Sequence, residues 1–565
     1  MTIIELVNEG VWRAQRAQGR YIAFGSRRLP ISSSLVLFAI AFVVVAIILL
    51  VPGYLLFRAA GAGQATLETL ASARTWATLG NTLLLAGAVV VSSAIIALPL
   101  AWLVSSTDLP GKRAWSVLIA LPLVIPSYVA AYLYASLLSP RGVVQGLLEP
   151  LFGIERLPPI YGFGGAWLVL TLITYPFTYL TVRAAFQRLD PSLIEAARSL
   201  GHTPRQAFWR ITVPALRPSL VAGSLLVALY CLRDFGAVNL LQFGTFTRVI
   251  YNRYQAYRLD EAAAMALLLV ALTAILLYLD FRSRGRSRYA RLSAGCARVR
   301  PPTHLGWWKL PALAFVALIV FLALVVPAGG LGYWFWRGLN QDWLVRDLGP
   351  AQSNVASLVT LIRPAWNSFV VSLIAAGLTI ALALPVTVLA VRKPGRLSHA
   401  LERLTYTGAA LPGIVIALAY VFIGVNYARS LYQTLPMLLI AYVVLFLPQA
   451  VGSERASLLQ VSPKLEEAGR SLGKRPAHVF RRITLPLVRP GLLAAGAMVF
   501  LTAMKELPTT LILSPIGFDT LAVQIWSNIS EAFFARAAAP TLLLILLSSV
   551  PLALFTLRDS DENGV

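Results

Sequence analysis

The chain has 565 residues, 58% of them hydrophobic, and a formal net charge of +24 at pH 7. That apolar fraction excludes a water-soluble protein of this length, because apolar runs long enough to cross a bilayer recur from end to end. The charge does not indicate a nucleic-acid partner, since lysine and arginine fall mostly in every second loop between these runs, as membrane orientation requires. The two cysteines, Cys231 and Cys296, and the four histidines have no ligand-like spacing, so neither a disulfide nor a metal site is predicted.

The first 30 residues carry five arginines and no long apolar run. A cleaved signal peptide would need its apolar stretch sooner, followed by a small-residue cleavage site. Residues 1–30 are therefore predicted to be a cytoplasmic tail before an uncleaved first span.

Apolar runs along the rest of the chain predict an all-α membrane protein with twelve transmembrane helices. In the first half the spans are predicted at about residues 33–52, 78–105, 115–138, 164–184, 217–238 and 262–281. In the second half they are predicted at about residues 309–328, 367–391, 404–425, 435–453, 488–510 and 537–557.

The loops between these spans predict that both termini lie in the cytoplasm. The segment 282–300 has seven arginines and no acid, and the loops with Lys112 and Arg392 are also basic. Loops assigned to the outside mix both signs, as the one with Glu149 and Arg156 does. Basic loops stay on the cytoplasmic side, so charge and span count agree on a multi-pass protein of a bacterial inner membrane.

These features divide the chain into five predicted parts. The cytoplasmic tail (1–30) precedes a first membrane half (31–281), and a basic cytoplasmic linker (282–308) joins it to a second half (309–558). A short C-terminal tail (559–565) follows.

One polar, basic stretch occurs twice. Residues 190–220 read DPSLIEAARSLGHTPRQAFWRITVPALRPSL, and residues 462–492 read SPKLEEAGRSLGKRPAHVFRRITLPLVRPGL, which align without a gap at an offset of 272. Upstream, Asn81 and Asn367 match at an offset of 286, so an outer loop is 14 residues shorter in the second half. Six spans per half is an even number, so the two halves are predicted to be parallel repeats, unlike the inverted repeats of many secondary carriers.

Each copy of this loop is predicted to be two short helices separated by a glycine. Asp190 and Ser462 are good N-cap residues, and Gly201 and Gly473 stand where a left-handed residue would end the first helix. The second helix is predicted to end near the following proline, which is Pro214 in the first copy. The first helix has an apolar face of small residues that could dock on another protein. Its members are Leu193, Ala196, Ala197 and Leu200.

The spacing of E-A-A, a glycine and I-x-x-P resembles the cytoplasmic signature loop of ABC-importer permeases. The residues that match are Glu195, Ala196, Ala197, Gly201 and Pro214 in the first copy and Glu467, Ala468, Gly473 and Pro486 in the second. The second copy departs from the pattern at Gly469. The resemblance implies a type I ABC permease fold, in which each loop couples the membrane helices to one of two ATPase subunits, and a substrate-binding protein on the outer side.

No phosphate-binding GxxxxGK[ST] sequence occurs in the chain, and no nucleophile elbow or zinc-binding helix. The chain is therefore predicted not to be an enzyme and to bind no cofactor of its own. ATP and magnesium are expected on partner subunits.

Two acid–base pairs coincide at the 272-residue offset. Arg233–Asp234 and Lys505–Glu506 each stand near the outer end of the fifth span of their half. They are predicted either to anchor the helix ends at the membrane interface or to line an outer gate of the path. Three tyrosines could supply hydroxyl groups to that path, and these are Tyr128, Tyr175 and Tyr420.

A second resemblance concerns the cargo. The stretch KELPTTLILSPIGFDTLAVQIW, from Lys505, looks like the second-half segment of fused ferric-iron permeases. It implies import of Fe(III). Fused thiamine permeases share the two-half plan, so thiamine or another small solute such as a polyamine is the alternative. An ion-driven secondary carrier and a purely structural scaffold are the rival classes.

Overall fold

A computed structural model describes residues 31–189, 191–284, 303–339 and 354–562. The predicted N-terminal tail and most of the linker lie outside the described residues. Within them the chain is helical, and one isolated β-bridge joins Thr107 to Thr303. This agrees with the predicted all-α membrane class.

The first half contains thirteen α-helices in the described ranges. They are α1 (Ile31–Gly61), α2 (Gln64–Ala71), α3 (Ala73–Ser106), α4 (Lys112–Leu118), α5 (Ser127–Leu137), α6 (Val143–Phe152), α7 (Phe163–Arg188), α8 (Pro191–Ser199), α9 (Pro204–Ala207), α10 (Val213–Arg233), α11 (Gly236–Leu240), α12 (Phe246–Gln255) and α13 (Leu259–Arg284).

The second half repeats this order with one helix fewer before its counterpart of α7. Its helices are α14 (Lys309–Val320), α15 (Val326–Leu339), α16 (Asn354–Arg392), α17 (Arg396–Thr405), α18 (Gly413–Asn426), α19 (Leu435–Gln460), α20 (Pro463–Ser471), α21 (Pro476–Val479), α22 (Leu485–Met504), α23 (Pro508–Leu513), α24 (Leu521–Ser530) and α25 (Phe534–Glu562). Helix α6 has no counterpart among these helices, which accounts for the shorter outer loop of the second half.

Each of the twelve predicted spans coincides with apolar helix. Nine helices in the described ranges are long and apolar enough to cross a membrane, two further spans are bent helix pairs, and the last is the apolar helix Phe534–Ser549 within α25. The last helix continues to Glu562, past the predicted start of the C-terminal tail at residue 559.

The predicted third and ninth spans are wrong as straight helices. The chain bends by 95° before α5 and by 103° before α18. In each case the residue before a proline, Ile125 or Leu411, has an extended backbone. A proline disfavours the helical conformation in the residue before it and offers no N–H of its own, so Pro126 and Pro412 end one helix and allow the next to begin in a new direction.

The expectation that Pro214 and Pro486 end the second helix of each loop is also wrong. One apolar helical run extends over Arg205–Arg233 and another over Pro476–Met504, so the loop helix and the fifth span of each half are continuous. A π-helical turn precedes the proline in both halves, at Phe208–Thr212 and Phe480–Thr484. Membrane helices tolerate proline where local π geometry provides other partners for the freed carbonyl groups.

The core of each half is a packed group of three long helices. In the first half α3, α7 and α10 contact one another, and α16, α19 and α22 do the same in the second. The first span of each half packs partly on the opposite half, because α1 contacts α16 and α18 while α15 contacts α5. The halves are therefore interlocked through their first spans.

Two equivalent tyrosines join these first spans to the other half. Tyr420 in α18 donates its hydroxyl hydrogen bond to the Ile47 carbonyl of α1 at 3.1 Å. Tyr134 stands 286 residues earlier, in α5, and donates to the carbonyl of Leu322 in the π-helical turn between α14 and α15. This turn leaves that carbonyl available to a side chain.

The end of the linker is fixed to the first half. The Thr303 amide donates to the Ser106 carbonyl at 2.8 Å, and the Asp108 amide donates to the Thr303 carbonyl at 3.2 Å. The Asp108 carboxylate accepts from the Leu305 amide at 3.0 Å and pairs with Lys309 at 2.8 Å. These contacts set where the second half begins relative to the first.

Candidate functional site

The two copies of the repeated loop have the same backbone path. Gly201 has φ +87° and Gly473 has φ +75°, so both adopt the left-handed conformation that the sequence predicts. The amide after each glycine bonds back across the helix end, from His202 to the Ala197 carbonyl at 3.1 Å and from Lys474 to the Gly469 carbonyl at 3.3 Å. This is the pattern that ends a helix at a left-handed glycine.

The predicted N-caps of these helices have different outcomes. Ser462 occupies the N-cap position with an extended backbone, but its side chain makes no capping hydrogen bond. Asp190 lies outside the described residues. The helix start at Ser462 therefore depends on Pro463 at the first helical position, where the missing N–H has no cost.

The exposed surface of each loop is formed by the acid, the residue after it and a leucine at the turn. Glu195, Ala196, Glu467 and Ala468 are exposed. Leu200 is 82% exposed and Leu472 is 79% exposed. An apolar side chain that stands this far out of a basic loop is the feature most suited to bind a partner protein.

Ala197 does not belong to this surface, contrary to the expected apolar docking face. It is only 4% exposed, and its counterpart Gly469 is also buried. Both residues lie on the side of the first helix that packs against the second, because the second helix folds back on the first beyond the glycine turn. The small residue of the motif therefore determines how closely the two helices of the loop pack.

The repeated charge pairs near the ends of the fifth spans are turned inward. Asp234 is 7% exposed, and one carboxylate oxygen accepts from the Ala237 and Val238 amides at 3.0 and 3.4 Å. Glu506 accepts from the Thr509 amide at 3.2 Å and from its hydroxyl at 2.7 Å. Each acid thus caps the short helix that follows the fifth span, α11 or α23.

The acids contact the bent segments at equivalent places. Gly413, the residue after Pro412, lies so close to Glu506 that a Cβ there would be 2.5 Å from the carboxylate. Its counterpart is Ser127, whose hydroxyl lies in hydrogen-bonding reach of Asp234. Glycine opposite glutamate and serine opposite aspartate keep the combined volume similar in the two halves.

The bases of the two pairs reach across to the opposite half. Lys505 donates to the Leu123 carbonyl in the first half at 3.2 Å. The Arg233 guanidinium and the Glu506 carboxylate attract each other across the boundary between the halves. Arg233, Asp234, Lys505 and Glu506 are here called the central charge cluster, and they correct the prediction that these groups are anchors at the membrane interface.

The three tyrosines suggested for the path differ from one another. Tyr175 donates to the Ile119 carbonyl at 3.0 Å, and Tyr420 holds the first span through Ile47, so both hydroxyls serve packing contacts. Tyr128 is 2% exposed and its hydroxyl has no partner among the described residues. Tyr128 also lies near the Glu506 carboxylate. Of the three, Tyr128 alone remains a candidate for the path.

No group of three or more His, Cys, Asp or Glu side chains close enough to hold a metal ion occurs in the part of the chain that the structure describes. Cys231 is buried and unpaired there. The polar chemistry of the site therefore consists of the two loops and the central charge cluster.

Known proteins match both halves. The family described as "Binding-protein-dependent transport system inner membrane component" matches residues 97–282 and 374–561. The chain belongs to this family. The two matched ranges contain the two loops and the two acid–base pairs.

Three relatives match most of this permease. The Fe(3+)-transport system permease protein FbpB 2 of Haemophilus influenzae is 34% identical over 89% of this chain and 94% of its own length. A probable ABC transporter permease of Sinorhizobium fredii, y4fN, is 26% identical over 89% of this chain and 90% of its own. The ferric transport system permease protein FbpB of Actinobacillus pleuropneumoniae is 26% identical over 83% and 69%, respectively.

Family membership selects among the classes that the sequence left open. The chain is a fused, multi-pass permease subunit of a binding-protein-dependent ABC importer in the inner membrane, and not an enzyme. The ion-driven carrier and the structural scaffold are thereby excluded.

Sequence reasoning did not find several features of this permease. The capping role of Asp234 and Glu506 could have been inferred, because Glu506 is followed by Pro508 and a threonine pair that begin a helix. The exposed leucines also had a signal, since Leu200 and Leu472 directly precede the glycine turns. The contacts between halves had none, because they join residues hundreds of positions apart.

Proposed function

We propose that this permease imports Fe(III) at the expense of ATP hydrolysed by two partner ATPase subunits, one under each coupling loop. The observation that carries the proposal is the pair of loops with matching glycine turns and protruding leucines, Leu200 and Leu472. ATP and magnesium would be bound by those subunits and not by this chain. Both termini would lie on the cytoplasmic side with the loops, and a substrate-binding protein would dock outside.

The cargo part of the proposal is supported by the relatives named for Fe(3+) and ferric transport, which match both halves. It is also supported by the chemistry of the central charge cluster. Fe(III) is a hard cation that prefers oxygen ligands, and conduction requires binding weak enough for release. Asp234 and Glu506 each direct an oxygen to a helix N-terminus, so they supply negative charge near the path without forming a chelating group.

The path would pass between the halves, beside the cluster and Tyr128. Lys505 and Arg233 connect the two halves there, so their contacts must change when the halves separate. This makes the cluster suitable as a gate, because its contacts are made in the closed arrangement and are lost in an open one.

Reconstitution tests the proposal directly. The permease in proteoliposomes, with its ATPase and iron-loaded binding protein, is expected to accumulate radiolabelled iron only when ATP is present. The matched control replaces both Leu200 and Leu472 by Ser, which should abolish ATPase binding while the permease remains inserted. Uptake without ATP, or ATPase binding that survives the control, would contradict the coupling mechanism.

A complementation experiment tests the cargo. Growth of a deletion strain should be restored by this permease on limiting iron. Rescue by thiamine or a polyamine, with no effect of iron, would replace Fe(III) by the alternative cargo and leave the ATP-driven mechanism in place.

A further inference from the structure

The second coupling loop is held by a buried ion pair. Arg392, the last residue of α16, bonds through Nε to a carboxylate oxygen of Glu466 in α20 at 2.9 Å. The side chains are only 13% and 9% exposed, respectively. The same Glu466 oxygen accepts from the Thr484 hydroxyl at 3.0 Å, and Arg470 lies 3.5 Å from the other oxygen.

Arg392 also binds the segment that leads into the loop. Its Nη2 donates to the Val461 carbonyl at 3.0 Å and to the Leu458 carbonyl at 3.4 Å. One guanidinium therefore fixes the end of α16, the end of α19 and the start of α20 together. Thr484 adds the π-helical turn that leads into the fifth span of this half.

The first half has no equivalent of this arrangement. The residues at the corresponding positions are Ser106 for Arg392 and Ile194 for Glu466, and neither can form an ion pair. The threonine is retained as Thr212. The two loops therefore share a backbone path but differ in how they are attached to the membrane helices.

The end of α3 has a different use in the first half. The Ser106 carbonyl accepts from Thr303, and Asp108 holds Leu305 and Lys309. This place thus binds the linker that leads into the second half. In the second half, the equivalent place binds that half's own coupling loop through Arg392.

We propose that Arg392 and Glu466 are positioning residues for coupling, which make the second loop the stiffer of the two. Motion of the ATPase under the second loop is passed directly to α16 and α22, whereas the first loop transmits it through the helix that continues into α10. The proposal rests on the proposed function, because it assumes that an ATPase binds each loop.

The energetic basis is the burial of the pair. Removing one partner of a buried pair leaves an uncompensated charge, and this costs far more than loss of an exposed pair. Glu466 has three partners on different elements, so the loop cannot move relative to α16 without breaking several bonds at once. The pair therefore restricts movement more than it needs to contribute to net stability.

Hydrogen exchange of the permease alone is the first test. The peptide covering 463–473 should exchange more slowly than the matched peptide covering 191–201, after correction for intrinsic rates. Arg392→Met should raise exchange in the second loop by about tenfold or more, because an unpaired buried carboxylate favours an opened loop. The first loop should not change, and Arg392→Lys should restore part of the protection.

The control is another ion pair in the same half that does not contact the loop. Arg455 lies 3.0 Å from Glu402, which is 7% exposed. Arg455→Met should leave exchange in both loops unchanged. Equal exchange of the two loops in the wild-type protein, or an equal rise in both loops with Arg392→Met, would overturn the proposal. If Arg392→Met fails to insert, the wild-type comparison alone decides.

The second test measures coupling in proteoliposomes with the ATPase and binding protein. Arg392→Met should keep ATPase binding but lower iron transported per ATP several-fold, while Arg455→Met keeps the wild-type ratio. An unchanged ratio for Arg392→Met would overturn the coupling role. Absence of ATPase binding in the wild type would contradict the proposed function instead, and the exchange difference between the loops would stand independently of it.

Discussion

At the scale of single residues, the departure of the second loop from the motif has a partner elsewhere in that loop. Gly469 replaces alanine, and a Cβ there would lie 3.1 Å from Val479 and 2.8 Å from Ile483. In the first loop the corresponding pair is Ala197 and Ala207. Glycine opposite valine and alanine opposite alanine fill similar volumes, so the change conserves the distance between the helices.

This complementarity predicts the effect of restoring the motif. Gly469→Ala should destabilise the second loop by about 1–3 kcal/mol, because overpacking outweighs the better helix propensity of alanine. Adding Val479→Ala should recover the loss by recreating the pair of the first loop. Thermal denaturation in detergent measures both. A Gly469→Ala variant as stable as the wild type would show that the loop has room for the methyl group.

At the scale of elements, the glycine turns are required for backbone conformation and not for space. No atom lies within 4 Å of a Cβ built at Gly201 or Gly473, but both have positive φ. A β-branched residue is unfavourable there, whereas asparagine tolerates the left-handed region. The constraint therefore depends on which side chain is introduced.

Substitutions at the turns should follow that order. Gly201→Val or Gly473→Val should cost about 1–2 kcal/mol in the loop and strongly reduce ATPase stimulation by the binding protein, since the two loop helices would no longer meet at the same angle. Gly201→Asn and Gly473→Asn are the controls and should retain most activity. Normal stimulation in the valine variants would contradict the role of the turn.

The short helices after the fifth spans depend on the buried acids. Asp234 and Glu506 accept from amides at the starts of α11 and α23, and they also balance the charges of Arg233 and Lys505. Capping needs an acceptor oxygen, which an amide retains. Charge balance needs the negative charge itself.

Amide and alanine variants separate these two roles. Asp234→Asn with Glu506→Gln should nearly preserve thermal stability but lower iron uptake, because Arg233 and Lys505 lose their charge partners. Asp234→Ala should also lower the unfolding free energy by about 1 kcal/mol through loss of the cap. Uptake that is unchanged in the double amide variant, with ATPase binding intact, would remove the cluster from the path.

At the scale of the whole molecule, the halves are joined by the linker anchor as well as by the interlocked first spans. Contacts with Lys309, with the Leu305 amide and with His304 hold the pKa of the Asp108 carboxyl well below its usual range. A carboxyl with a lowered folded-state pKa stabilises above its unfolded-state pKa and loses that contribution as pH falls through the folded-state value. The anchor is therefore fully present at neutral pH.

The anchor should also persist in mild acid. Exchange of the 303–309 amides, corrected for intrinsic rates, should be the same at pH 7 and at about pH 4, where a free aspartate is near half protonation. Asp108→Asn should raise exchange at both values, and Lys309→Met should raise it less. A marked rise in the wild-type protein between these values would mean that Asp108 is not held by these partners.

The protein class, the number of spans, the parallel repeat and the glycine turns could all be predicted from the amino-acid sequence. These follow from local or periodic properties, since apolar length, loop charge and the conformational freedom of Gly201 and Gly473 act without any distant contact. The alignment of the two copies also identifies the acid–base pairs as equivalent positions, because a constant offset requires no knowledge of where the side chains point.

Three-dimensional packing was needed to establish where those groups point and what they bind. The bends at Pro126 and Pro412, and the continuity through Pro214, depend on which partners remain for the freed carbonyl groups. The ion pair of Arg392 with Glu466 joins residues 74 positions apart, and Tyr420 reaches the first span 373 positions away. Such pairings arise from how the helices pack against one another, and no periodicity in the sequence encodes them.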